Sequence, residues 1–211
     1  MVKPSKSYAR APLGEGGELR IIGGSWRGRK LRFPALPGLR PSPDRVRETL
    51  FNWLAPVLPG ASCLDLFAGS GALGLEALSR GAAGCCFVDS AGSACARIGE
   101  HLQRLGATGG RVVNADSLRW LQARPEPAPG FDVVFLDPPF GQGLLEQCCT
   151  QLEQNGWLAD EALIYMESGG AEPLPPLPSN WRLHRDKRAG QVAYRLFRRE
   201  AGALSAGRQI G

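Results

Sequence analysis

The chain has 211 residues and a formal net charge of +5, long enough for one filled α/β domain with a small appendage. It contains no apolar run of about 18 residues for a membrane span, and MVKPSKSYARAP lacks the apolar stretch of a signal peptide, so a cytoplasmic protein without a membrane partner is expected. Six cysteines without a C-x-x-C spacing, with only His101 and His184 beside them, argue for reduced core thiols and no metal site.

Residues 1–18, rich in Gly, Pro, Ser and Lys, read as a mobile arm before a single domain over 19–200, and residues 201–211 as a frayed tail. From Leu19, LRIIGGSWRGRKLRFP alternates well enough for a β-ribbon of two short strands over 19–34, turning around Gly23-Gly24. The first 47 residues carry 11 Lys and Arg against 3 Asp and Glu, and residues 181–200 carry 7 against 2, which leaves the middle of the chain acidic. Basic ends suit a polyanion and an acidic middle suits a cation, a division that points to nucleic acid at the ends. Arg27, Arg29 and Lys30 crowd beside Trp26 and are candidates to hold RNA phosphates, with the indole free to stack. The competing reading is an exposed hairpin with Trp26 tucked beneath it.

Pro41 and Pro43 stiffen the approach to a helix over 44–54 that Ser42 or Asp44 would cap and Pro56 would end. Val46, Leu50, Trp53 and Leu54 recur at helical spacing and would pack on the sheet, with Arg45 and Arg47 on different sides of that face. Arg45, together with Arg40 in the loop before the helix, is a further candidate for RNA phosphate.

Cys63 to Phe67 read as a short buried strand carrying one acid, Asp65, and lead through Gly69-Ser70-Gly71 into a helix over 72–80 closed by Gly81. The glycines at 69 and 71 allow a ligand close to the main chain, and Gly74 lets the helix lie against a strand. A dinucleotide pyrophosphate would be repelled by Asp65, whereas S-adenosylmethionine carries a sulfonium and an ammonium and no phosphate. The candidate methyl-donor site is therefore Asp65, Phe67, Ala68, Gly69, Ser70 and Gly71. A second strand, 84–88, ends in Asp89, placed with Ser90 to accept from both ribose hydroxyls of an adenosine, ahead of a helix from about 91 to 105. A third strand, 111–115, brings Asn114, Ala115 and Asp116 to the adenine, although Asp116-Ser117 also reads as an ordinary helix cap for 117–123.

The linker RPEPAPG precedes a buried strand, 131–136, that delivers Asp137, Pro138, Pro139 and Phe140 at its carboxyl end, where open α/β sheets bind ligands. An exocyclic amino group of a base is a poor nucleophile because its lone pair is delocalised into the ring. Acceptors aimed at its two hydrogens, the Asp137 carboxylate and the Pro138 carbonyl, favour pyramidal nitrogen, and Phe140 can stack on the base. Neither a metal nor a covalent enzyme intermediate is needed. A helix over 143–155 follows, with Leu144, Leu145, Cys148 and Leu152 inward, then a strand from Ala162, the Pro-rich AEPLPPLPSN, and a hairpin of WRLHRDKR and QVAYRLFRR whose Lys187 and Arg188 are the last RNA candidates. Strands alternating with helices mean a parallel, doubly wound sheet.

RIIGGSWRGRKL, RPSPDRVRETLFNWLAP, LDLFAGSGALGLEALSRGA, FLDPPF, NGWLADEALIYMES and AGQVAYRLFRRE together resemble the RsmD family of bacterial ribosomal RNA methyltransferases over about residues 18–200. The resemblance implies an α/β, class I S-adenosylmethionine-dependent methyltransferase fold, Rossmann-like, with a seven-stranded mostly parallel sheet, helices on both faces and an antiparallel last strand. It implies S-adenosyl-L-methionine as cofactor and transfer to the N2 amino group of one guanine in small-subunit (16S) RNA, free or in an assembling particle; a monomer is expected, although the sequence itself does not fix the oligomeric state. Donor roles would fall on Asp65, Gly69, Gly71, Asp89 and Asp116 and the target-amino role on Asp137 to Phe140. Asp89 stands where many relatives have Glu, and Phe140 where Tyr is common. The alternatives are a DNA adenine amino-methyltransferase, an NAD-dependent oxidoreductase and a non-catalytic RNA-binding module.

Overall fold

A computed structural model describes residues 17–33, 43–123 and 130–201. Arg40 and Ser42, nearly all of the expected arm, and the tail beyond Ala201 lie outside the described residues. Strands β1 (Gly17–Arg20) and β2 (Lys30–Phe33) pair antiparallel as the ribbon, joined through a single 3-10 turn at Gly24–Trp26. The ribbon therefore begins two residues earlier than the sequence pattern indicated. Helix α1 (Asp44–Leu54) follows, with Pro43 as its N-cap and no side chain capping it, and Asp44 as its first residue. Proline suits that boundary because its fixed φ and missing N–H cost nothing there.

The remaining elements alternate: β3 (Ser62–Asp65), α2 (Ala72–Ser79), β4 (Gly84–Asp89), α3 (Gly92–Leu105), β5 (Gly110–Asn114), α4 (Ser117–Gln122), β6 (Phe131–Leu136), α5 (Leu144–Gln154) and β7 (Leu158–Gly169). The hairpin β8 (Trp181–Ala189) and β9 (Val192–Arg199) completes a seven-stranded sheet ordered β5-β4-β3-β6-β7-β9-β8. β3 to β7 run parallel and β9 inserts antiparallel between β7 and β8, so the strand direction matches the expectation from the family. β7 starts four residues before Ala162 because a bulge lets Leu158 pair with Phe131 before regular register resumes at Val133 and Leu163.

One face of the sheet is covered by the ribbon, α1, α2 and α3, the other by α4 and α5. Val46, Leu50, Phe51 and Leu54 of α1 are buried, with the Phe51 ring centre 6.0 Å from that of Phe135 on β6 and Trp53 stacked on Tyr194 of β9 at 5.6 Å. Helix α2 is buried along its whole length and lies close to the sheet. Only glycine fits at 74, since a Cβ there would stand 2.2 Å from the Phe87 ring and 2.7 Å from Cys85 Sγ. The six cysteines are free and buried.

The ribbon is fastened to α2 by a fully buried acid, Glu76. Its carboxylate accepts the backbone N–H groups of Ile22 and Gly23, each at 2.8 Å, and Arg80 Nε at 2.7 Å, with Arg47 Nη1 3.6 Å away. Arg47 is 1% exposed; its Nη2 donates to the Arg20 carbonyl at 2.9 Å and to Asp44 at 2.6 Å. Of the two arginines flanking Val46, Arg47 is thus internal structure and Arg45 remains exposed.

Candidate functional site

The carboxyl ends of β3, β4, β6 and β7 open on a cavity of about 1440 Å³. It lies at the edge where strand order reverses, since β3 is followed along the sheet by β4 on one side and by β6 on the other. From the donor set read in the sequence, Asp65, Phe67, Ala68, Gly69, Ser70, Asp89, Ser90 and Asp116 line it. Asp137, Pro138, Pro139 and Phe140 line the same cavity, and so does Arg188.

The turn between β3 and α2 needs its glycines. Gly69 has φ +52° and Gly71, which caps α2, has φ +76°. Gly71 does not line the cavity; its N–H donates to the Ala68 carbonyl at 2.6 Å and holds the turn closed. Asp65 is buried beneath that turn, and its Oδ2 accepts the Gly74 N–H at 2.9 Å. Burial raises its pKa to about 7, against which the Gly74 hydrogen bond pulls it down, while Asp89 nearby pushes it up further.

Asp89 is held by two main-chain donors, Gly69 N–H to Oδ2 at 2.7 Å and Ala91 N–H to Oδ1 at 2.8 Å. A carboxylate has about four lone-pair positions, so each oxygen can accept once more from a ligand hydroxyl. Asn114 and Ala115 do not line the cavity. Asn114 Nδ2 donates to the carbonyls of Asp89 and Ser90, each at 3.0 Å, and so fixes the loop that presents Asp89. Ala115 packs against the core under α4 and α5. Asp116 caps α4 by accepting the Arg119 N–H at 2.9 Å, and it also lines the cavity.

The far wall comes from β6 and β7. Phe140 is 44% exposed, unusual for a ring of that size and suited to covering an incoming aromatic ligand. An adjoining cavity of about 400 Å³ shares Pro138, Pro139, Phe140, Leu144, Glu167 and Glu172 with the larger one. The two glutamates escaped the sequence reading. Glu167 closes the apolar run ALIYM, the same signal that marked Asp65 and Asp137. Glu172 folds back to accept the Gly169 N–H at 2.9 Å.

The expected RNA-binding residues separate into two groups. Arg188 lines the cavity, Lys187 Nζ stands 5.9 Å from the Trp53 ring centre, and Arg45 is exposed on the first turn of α1 beside Pro43, which also lines the cavity. Arg27, Arg29 and Lys30 are exposed but sit where the ribbon packs on the C-terminal end of α2, a helix length of roughly 12 Å from the glycine turn. Lys30 pairs with Glu18 at 2.9 Å. Trp26 is half-buried against the core and its backbone N–H donates to Ser79 Oγ at 3.0 Å, so the tucked hairpin describes it and the free stacking ring does not. Among the described residues no cluster of His, Cys, Asp or Glu could hold a metal, and no helix is long and apolar enough to cross a membrane.

A family model described as conserved hypothetical protein 95 matches residues 19–198. The ribosomal RNA small subunit methyltransferase D of Escherichia coli strain K12 is 58% identical over 185 residues, covering 88% of this chain and 92% of that protein. The protein of the same name from Haemophilus influenzae is 48% identical, covering 86% and 94%. The solved structure of yhhF from Escherichia coli superposes with a TM-score of 0.82 at 55% identity, covering 88% of this chain and 99% of that one. The fold is that of a class I methyltransferase, Rossmann-like, as the sequence led one to expect.

Proposed function

The chain belongs to the RsmD family of ribosomal RNA small subunit methyltransferases, and from that premise we propose that it methylates the exocyclic N2 amino group of a guanine in small-subunit (16S) ribosomal RNA, with S-adenosyl-L-methionine as donor. The observation that carries this reading is that the glycine turn with its acids and the Asp137 to Phe140 segment line one continuous cavity. An acidic floor of Asp65, Asp89 and Asp116 fits a cationic nucleoside and opposes a pyrophosphate, which weighs against the NAD-dependent alternative.

In this reading Gly69 and Ser70 bring main chain close to the donor, Asp65 balances its positive charge, Asp89 and Ser90 take the ribose, and Asp116 the adenine amino group. When bound, the donor supplies a methyl carbon on a sulfonium: the base nitrogen bonds to it as the carbon–sulfur bond breaks, giving the thioether product and one proton. The Asp137 carboxylate and Pro138 carbonyl accept from the amino hydrogens and turn the nitrogen lone pair out of the ring plane. Phe140 stacks on the base and excludes water, so the acceleration comes from positioning and electrostatics. Lys187, Arg188, Arg45 and the ribbon cations are the RNA-facing charges, and the partner is the ribosomal RNA itself or an assembling small subunit.

The test is incubation with labelled S-adenosylmethionine and small-subunit ribosomal material lacking this methylation, followed by nucleoside analysis. Label in N2-methylguanine is expected. Label only in DNA adenine, or in another RNA nucleoside, overturns the base assignment while keeping the chemistry.

A further inference from the structure

We propose that Glu167 accepts from N1–H of the target base and thereby selects guanine, an inference that rests on the guanine N2 reading above. The parallel register of β6 with β7 sets Leu136 opposite Met166, so Asp137, the first residue past β6, follows beside Glu167, which is still inside β7 and pairs with Tyr194 of β9. Neighbouring strands lie about 4.8 Å apart, and alternation along β7 puts Glu167 on the sheet face that carries Asp65, Phe135 and Tyr165, with Asp137 close enough for its charge to act on Tyr165.

Glu167 is 3% exposed and lines both cavities, as Phe140 and Glu172 do. The Tyr165 hydroxyl donates to Glu167 Oε1 at 2.7 Å, which sets the orientation of the carboxylate, and a carboxylate accepts from several donors at once. Tyr165 is itself held as the neutral phenol: burial first, then the charge of Glu167, push its pKa well above the usual phenol value.

Guanine alone among the common bases with an exocyclic amino group presents a ring donor beside it, because N1 carries a hydrogen. Adenine at N1 and cytosine at N3 present a lone pair there. With Asp137 and the Pro138 carbonyl serving the amino hydrogens, a second acidic acceptor one strand away matches N1–H. It sets a carboxylate against the lone pair of the other two bases, electron pair against electron pair in a buried place, while Tyr165 still holds its Oε1. A mismatch of that kind is worth about 10- to 100-fold in discrimination.

The experiment compares particles reconstituted with guanine or with 2,6-diaminopurine at the methylated position, since diaminopurine keeps the 2-amino group but has a lone pair at N1. The wild-type protein should favour guanine about 10- to 100-fold in kcat/KM. Glu167→Gln, whose amide can donate to N1, should bring the two substrates to within about threefold or invert them, with S-adenosylhomocysteine binding measured by calorimetry unchanged. Equal turnover of both substrates by the wild type, or an undiminished preference in Glu167→Gln, overturns the inference. Should Glu167→Gln fail to fold, Glu167→Asp carries the test: the retracted carboxylate should lower guanine turnover about tenfold with S-adenosylhomocysteine binding kept, and turnover at the wild-type level overturns the inference. Absence of any N2-methylguanine from the wild type overturns the proposed function instead, so the two failures are distinct.

Discussion

Asp65 on β3 and Gly74 on α2 are joined by a 2.9 Å hydrogen bond from the glycine N–H to the carboxylate, which ties the floor of the cavity to the helix that rises from its glycine turn. Burial holds Asp65 near pKa 7 against 3.8 for a free aspartate. Between those values the folded, ligand-free chain keeps a proton that the unfolded chain has released, so the Asp65 contribution to stability falls as pH rises from about 4 and levels off above about 7. A cationic ligand works the other way by favouring the ionised form. Binding of S-adenosylmethionine should tighten between about pH 6 and pH 8 and expel a proton, read by calorimetry in buffers of different ionisation heat. Asp65→Asn should abolish that proton release.

Asp89 and Asp137 sit on different walls, and their truncations should divide cleanly. Asp137→Ala should lower kcat by about 10²- to 10³-fold with S-adenosylhomocysteine affinity kept. Asp89→Ala removes the acceptor of the Gly69 and Ala91 N–H groups and should weaken that affinity by roughly 10- to 100-fold. Equal loss of cofactor binding in both variants contradicts the division of labour.

Gly74→Ala forces a methyl to within 2.2 Å of the Phe87 ring. Urea denaturation should show a loss of about 1–3 kcal/mol, and Phe87→Leu in the same chain should restore part of it by vacating the contact.

Charge reversal at Arg188, on the cavity, should raise the KM for a short RNA around the target about tenfold and flatten its salt dependence. Reversal at Arg27 and Arg29 should leave that short RNA unaffected and weaken only a longer RNA or a particle, because these side chains lie beyond the far end of α2. An unchanged salt slope for every substrate removes the RNA role from the ribbon.

What local chemistry dictates was legible before the coordinates. Helix α1 spans Asp44–Leu54 and β6 spans Phe131–Leu136 as read, because Pro43 and Asp137-Pro138 leave no choice of boundary. The acids at strand ends also announced themselves, each interrupting an apolar run where burial of a charge needs a reason. What went unread is non-local. Nothing near Arg47 in sequence says that Glu76 is waiting to enclose it, and nothing near Glu167 says that register will set it beside Asp137. Asn114 stays exposed while its amide braces the Asp89 loop, and Trp26 is half-buried against the core; neither contact can be read from local composition, because each partner is distant in sequence.

Glu76 gives α2 and the ribbon a shared fixture, beside the bonds Ser79 makes to the ribbon turn, since its carboxylate takes hydrogens from Ile22 and Gly23 and answers the charges of Arg47 and Arg80. A chain shortened to begin at α1 would leave that fully enclosed acid without its two main-chain donors, so truncating the ribbon costs α2 stability as well as the ribbon's own contacts. The isolated glutamate inside the apolar LGLEALS is thus, in this chain, the far half of a joint whose near half lies more than fifty residues earlier.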